Sequence, residues 1–233
     1  MKEINIRLLE SNPNLQAIRP IEGRIQNFKK RLSLKERFSF GLMYQHPRIY
    51  DFSIWLNDPG RLIPKTLAKS IVGNSVLDLG CGTASLQPLL PKGIEYIGID
   101  LNETFLAFAD KKGRGSFYKR NILEDLSDFK ADTVVLSDVL HHVTPQHQKL
   151  LENAINCARK KVVISACFEK EEGPFKVLSE FIGRRILDND GLNEQREGAG
   201  WLKLDELMHF LSSNGAINFR KVLSHIHCEI IVE

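Results

Sequence analysis

The period of the hydrophobic positions changes near residue 75. Before it, apolar residues recur at loose helical intervals: Ile18, Ile21, Ile25, Phe28 and Leu32, then the aromatic-rich set Phe38, Phe40, Tyr44, Tyr50, Phe52 and Trp55. This spacing predicts a helix starting near Gly23 and a second from Ser33, where Glu36 stands at capping-box distance; Pro47 interrupts the second. Asn57-Asp58-Pro59-Gly60 reads as a turn, and residues 62–71 as a last helix before the first strand. Beyond 75, short apolar runs alternate with helical ones. Strands are predicted over 75–79, 95–100, 116–119, 132–137 and 161–166, and helices over 104–112 and 146–158. Continuous apolar strands separated by helices imply parallel strands covered on both faces, hence an α/β, doubly wound sheet with ligands at the carboxyl ends of its strands.

The alternation breaks over 168–201, which holds an amphipathic stretch at 175–187 and then a loop rich in Gly, Asn, Asp and Glu. A helix over 204–213 follows, stopped at Asn214-Gly215, and two strands over 217–223 and 226–232. So short a connection makes these two antiparallel neighbours. The organisation expected is a helical N-terminal extension, 1–70, on a core of 71–233 with an insertion at 168–201.

Composition narrows the class. A hydrophobic share of 42% and a charged share of 26% over 233 residues are those of an ordered globular chain. No run approaches the ~18 apolar residues of a membrane span, and the mixed N-terminus lacks a secretory pattern. Cys81, Cys157, Cys167 and Cys228 are scattered without a C-x-x-C pair. A reduced, cytoplasmic protein with no metal site is expected. Charge is uneven: residues 1–70 carry 13 Lys and Arg against six Asp and Glu, and the rest 19 against 23. The basic segment points to an anionic partner (a phosphorylated or lipid-like substrate, or RNA) or to a solvated helical face.

The most specific stretch is Val76-Leu77-Asp78-Leu79-Gly80-Cys81-Gly82-Thr83-Ala84: a buried strand, a tight Gly-x-Gly turn, then a helix expected just beyond. Asp100 ends the second strand about twenty residues further on, where an acid bonds ribose hydroxyls in nucleoside-binding folds. The third glycine that a pyrophosphate-binding G-x-G-x-x-G turn needs is missing, which disfavours an NAD enzyme. The fourth strand runs into Ser137-Asp138-Val139-Leu140-His141-His142-Val143.

Together, 76–83, Ile97-Gly98-Ile99-Asp100 and Val139-Leu140-His141-His142-Val143 resemble the class I S-adenosylmethionine-dependent methyltransferases, most of all the group acting on small molecules. The resemblance covers about 70–233. It implies a seven-stranded Rossmann-like sheet with an antiparallel last strand, S-adenosylmethionine as cofactor and S-adenosylhomocysteine as product. By that resemblance, Gly80 and Gly82 pass beneath the methionine part, with Asp78 near its amino group. Asp100 bonds the ribose, Leu101 packs on adenine, and Asn121 with Ile122 stands where relatives contact the adenine edge. Ser137 and Asp138 face the methyl. Ala84 and Asn121 depart from the commoner Gly and Asp; the amide oxygen of Asn121 can still accept from the adenine amine. If the acceptor is a hydroxyl, Asp138, His141 or His142 supplies the base.

No Asn/Asp-Pro-Pro-aromatic signature follows the fourth strand, and no Pro-Cys partner accompanies Cys167, so DNA adenine, glutamine and RNA cytosine substrates are disfavoured. Acceptor choice is assigned to Phe40, Tyr44, Tyr50 and Trp55 and to the insertion, where Phe175, Leu178, Phe181, Ile182 and Ile186 beside Arg184 and Arg185 make an apolar lid with a cationic edge or pack on the core. An apolar or anionic small molecule suits both. The alternatives are an RNA methyltransferase holding phosphates with its basic segment, and a non-catalytic S-adenosylmethionine-binding subunit.

Overall fold

The computed structural model describes residues 42–168 and 202–232. The helices expected near Gly23 and from Ser33 to residue 41, and the 175–187 stretch with Arg184 and Arg185, lie outside the described residues.

Three helices come first: α1 (Leu42–Gln45), α2 (Pro47–Asn57) and α3 (Leu62–Ser70). Pro47 opens a helix where an interruption is expected, because the first turn has no use for the N–H that proline lacks. Asp58 is buried in the turn that follows. Its two carboxylate oxygens accept from Leu62 N at 2.8 Å and Ile63 N at 2.9 Å, satisfying amides that α3 leaves open.

The core strands are β1 (Ser75–Leu79), β2 (Glu95–Asp100), β3 (Ser116–Lys119), β4 (Ala131–Ser137), β5 (Ala158–Cys167), β6 (Ile217–Val222) and β7 (His225–Ile231). They form one sheet in the order β3-β2-β1-β4-β5-β7-β6. The first five are parallel; β7 runs antiparallel to both β5 and β6. The order reverses between β1 and β4, the place where open sheets of this kind take ligands at the carboxyl ends of their strands. Helices α4 (Glu103–Asp110), α5 (Leu140–Val143), α6 (His147–Cys157) and α7 (Leu204–Ser213) are the other α-helices among the described residues.

Every residue of β1 is buried, as its unbroken apolar run requires. Leu77, Leu79, Leu136 and Ile164 pack with α6 and α7 on one face, through Leu150, Leu151, Leu207 and Leu211. Val76, Val135 and Val163 pack on the other with Leu67 of α3 and Leu106 and Ala109 of α4. Truncating any of these fully buried leucines costs about 2–5 kcal/mol.

One local expectation fails. No α-helix follows the glycine turn; residues 87–89 make a single 3₁₀ turn instead. Ala84 sits at φ 56°, in the left-handed region, and Pro88 and Pro91 withhold amides that a longer helix would need.

Candidate functional site

At the β1–β2 end, the chain leaves Leu79 through Gly80 at φ 76° and Gly82 at φ 52°. A Cβ at Gly80 would lie 2.6 Å from Val139 Cγ2, so only glycine fits. The amides of Gly80 and Cys81 both donate to Ile99 O, at 2.8 and 3.0 Å, clamping the turn to the end of β2. Asp100 stands beside it. Its Oδ2 accepts from Gly82 N and its Oδ1 from Asn102 N, each at 2.8 Å, and each oxygen keeps a further acceptor position. Burial holds the Asp100 carboxyl above the usual range, although amides of Asn102, Gly82 and Leu101 pull it down. Leu101 follows, 38% exposed. Asn102, which the sequence reading passed over, caps α4 by accepting from Thr104 N and Phe105 N and donates to Tyr44 O at 2.9 Å. Its position ahead of the α4 sequence was the available signal.

Asp78 lies in β1, just before the glycine turn. It is 3% exposed, beneath the turn. Its Oδ2 accepts a 2.5 Å hydrogen bond from the Tyr96 hydroxyl, while Oδ1 is buried without a partner. Burial raises its pKa to about 7; the Tyr96 bond opposes that rise and the negative charge of Asp100 adds to it. Tyr96, one strand over and missed from sequence, is what this acid leans on.

The N-terminal helices cover the turn. Thr83 Oγ1 donates to Asp51 Oδ1, Lys112 Nζ to Thr83 O at 2.7 Å, and Arg61 to Ser85 O at 2.6 Å. The rings of Tyr44, Tyr50 and Phe105 pack together, with Tyr50 and Phe105 centred 4.8 Å apart. Of the aromatic residues expected to choose the acceptor, Tyr44 and Tyr50 therefore sit by the glycine turn. Trp55 is exposed and stacks on Phe52; Phe40 lies outside the described residues.

After β3, Asn121 Oδ1 accepts from Leu123 N at 3.0 Å and is half-buried. Ile122 is buried in the core, so its side chain packs rather than faces a ligand.

The second cluster lies at the ends of β4, β5 and β7. Ser137 pairs with Ser165 in register. Asp138 takes φ 54°, a conformation that costs a non-glycine residue about 1–3 kcal/mol, and is held there by its amide donating to Ser165 O at 2.8 Å. The strain aims its carboxylate at His225 Nε2, 2.7 and 2.8 Å from the two oxygens. Burial pushes the Asp138 carboxyl up, but the His225 bond and charge, with His141 and Cys167, outweigh it and leave the group below the usual range. Cys167 is paired with His225 across β5 and β7, and its Sγ lies 3.2 Å from His141 Nδ1. The His141 and His142 rings are centred 4.0 Å apart, and His142 presents an edge contact to Tyr44 at 6.5 Å. Thus the structure brings Asp138, His141 and His142 together, and adds His225 and Cys167. His225 belongs to no motif; only strand pairing reveals it.

Two arrangements thus flank the switch point: a backbone-built turn with a braced acid, and a cluster of polar side chains. Residues 77–164 match a family model described as a methyltransferase domain. The chain is 33% identical over 107 residues to the chloroplastic magnesium protoporphyrin IX methyltransferase of Arabidopsis thaliana, covering 42% of this chain and 34% of that protein. It thus spans about a third of that relative's length. Among solved structures, the magnesium protoporphyrin IX methyltransferase from Synechocystis PCC 6803 with bound SAM is similar with a TM-score of 0.52 at 18% identity, over 79% of this chain and 83% of that one. An O-methyltransferase family protein from Burkholderia thailandensis is similar with a TM-score of 0.60 at 15% identity, over 85% and 62%. The seven-stranded order, with the last strand antiparallel, is the fold these share.

Proposed function

We propose that this protein transfers a methyl group from S-adenosylmethionine to a small-molecule acceptor. The observation that carries the reading is Asp100: a carboxylate at the end of β2, braced by two amides, beside a turn that only glycine can form. In this reading Asp100 accepts from the ribose hydroxyls, Leu101 covers the adenine, and Asn121 Oδ1 uses its remaining lone pair for the adenine amine. Asp78 Oδ1, a buried acceptor without a partner, suits the amino group of the donor's methionine part. Gly80 and Gly82 keep the backbone low beneath it, and Ser137 lines the far wall. Ile122 contributes by packing the loop that carries Asn121. The missing third glycine, with an acid bonded to the turn itself, favours this donor over NAD.

When bound, S-adenosylmethionine supplies a methyl already activated on a sulfonium centre, so the chain's task is alignment. Holding donor and acceptor in line contributes ~7 kcal/mol or more to lowering such a barrier. Of the three candidate bases, Asp138 suits the task least. It is committed to His225, and a carboxyl held below its usual range is a weak base. Imidazole titrates near neutrality as a side-chain type, and His142 stands beside Tyr44, so His142 takes the proton of a hydroxyl acceptor. The N-terminal segment and the 168–201 insertion choose the acceptor, which is apolar or anionic. The name of the Arabidopsis relative, a porphyrin methyltransferase, supports that class.

The test is transfer from methyl-labelled S-adenosylmethionine in cell extract, separated into small-molecule, RNA and protein fractions. Label in the small-molecule fraction is expected. Label in RNA that declines steeply with salt would replace this reading with an RNA methyltransferase. Donor binding with no transfer to any fraction would leave a non-catalytic binding subunit.

A further inference from the structure

We infer that Asp138, Cys167 and His225 form a zinc-type metal site at the ends of β4, β5 and β7. One ligand atom from each of the three lies within 4.8 Å of the others. His225 Nε2 is 2.7 Å from Asp138 Oδ1, and His141 Nδ1 is 3.2 Å from Cys167 Sγ. Zinc takes thiolate sulfur at about 2.3 Å and imidazole nitrogen or carboxylate oxygen at about 2.0–2.2 Å, so donors in a tetrahedral shell stand roughly 3–4 Å apart. The carboxylate–imidazole pair needs to open by about half an ångström, and it would do so as the ion takes the place of their shared hydrogen bond.

The donors are well anchored for such a role. Cys167 and His225 face each other in register across two strands, and both are buried. Asp138 is fixed by its strained backbone and the Ser165 bond. Ser224 Oγ lies 3.4 Å from His225 Nδ1, where it steadies the imidazole and leaves Nε2 for the ion. One thiolate, one imidazole and one carboxylate suit zinc or cobalt and disfavour magnesium and calcium, which take oxygen donors. Three protein donors leave the fourth position to water, and the ion ties β4, β5 and β7 together. Binding ionises the Cys167 thiol and releases its proton to solvent. The scattered cysteines gave no hint of this, because the set is assembled by strand order. It uses no residue of the glycine turn and is independent of the proposed methyl donor.

The experiment uses the full chain without an affinity tag, dialysed against chelator and titrated with zinc and, separately, cobalt at neutral pH. One equivalent of either metal is expected to bind, cobalt with a thiolate charge-transfer band and the strong visible bands of tetrahedral coordination. Zinc should raise the melting temperature by several degrees. Loss of an outer-shell partner already weakens metal sites 10–100-fold, so Cys167→Ser and His225→Gln should weaken binding by about 100-fold or more. Cys157→Ala, a thiol control outside the cluster, should keep the band. Absence of stoichiometric metal and of the charge-transfer band in the unmodified protein overturns the proposal, whatever the variants do. So does a band that survives Cys167→Ser or vanishes in Cys157→Ala.

Discussion

The two ends of the sheet's carboxyl edge are built on different principles. At the β1–β2 end the parts are local: the Asp100 carboxylate reaches an amide 18 positions earlier, and most of the contacts are backbone amides. At the β4–β5–β7 end they are remote: Asp138 and His225 are 87 positions apart, and the contacts are between side chains. A backbone-built site demands glycines and one acid at set places, which leaves a mark along the chain. A side-chain cluster depends only on which strands end side by side. The first is suited to a constant ligand, the second to whatever the acceptor and its surroundings require.

Affinity for S-adenosylmethionine should grade across this divide. The largest loss is expected from Gly80→Val at the turn. Its new Cβ would meet Val139 Cγ2 at 2.6 Å in a left-handed conformation. Overpacking and strain of about 3–4 kcal/mol in sum raise the dissociation constant about 150-fold or more, and the melting temperature falls with it. Next comes Asp100→Ala, which removes a charged acceptor and releases Gly82 N and Asn102 N; about 2–3 kcal/mol corresponds to a roughly 30- to 150-fold weaker calorimetric affinity.

The third effect is a pH dependence from Asp78. Its pKa of about 7 in the folded chain, against 3.8 for the unperturbed group, means that the buried carboxyl is protonated in mild acid. The stability this contributes is fully present below the unfolded pKa and is lost as pH rises towards 7, by a few kcal/mol. Affinity for a cationic amino group moves the other way, since the carboxylate forms only as pH passes 7. Donor affinity should fall about tenfold from pH 7.5 to 6, with up to one proton released on binding at the lower pH, and Asp78→Asn should flatten both curves. Calorimetry in buffers of different ionisation enthalpy, with melts across the same range, measures all three. The smallest change in donor affinity, less than about twofold, is expected from His225→Gln at the far end, because its partner there is Asp138. A tenfold loss in that variant would mean that the two ends are not separate.

Much of the fold was legible because its strands are buried on both faces. The runs at 75–79, 95–100 and 132–137 carry apolar residues on both sides of the sheet and could hardly be helices. The terminal hairpin followed from the short connection between its two strands. The helix expected after the glycine turn failed because Pro88 and a left-handed Ala84 outweigh the surrounding pattern. In the site, Asp100 stood at a legible place. Asp78 was visible as a residue but its partner was not, since Tyr96, aligned with Val76 in the β1–β2 register, reaches it only through its side chain. His225 and Cys167 become neighbours only once β7 inserts beside β5, a placement that periodicity does not encode.

Calorimetric titration of the full chain decides which ligand the β1–β2 end accepts. S-adenosylmethionine, S-adenosylhomocysteine and NAD are compared at pH 7.5. One molecule of S-adenosylmethionine or S-adenosylhomocysteine per chain is expected, with no measurable binding of NAD and roughly 30- to 150-fold weaker binding of the two adenosyl ligands in Asp100→Ala. Binding of NAD alone, or no binding of S-adenosylmethionine by the folded chain, would contradict the assignment.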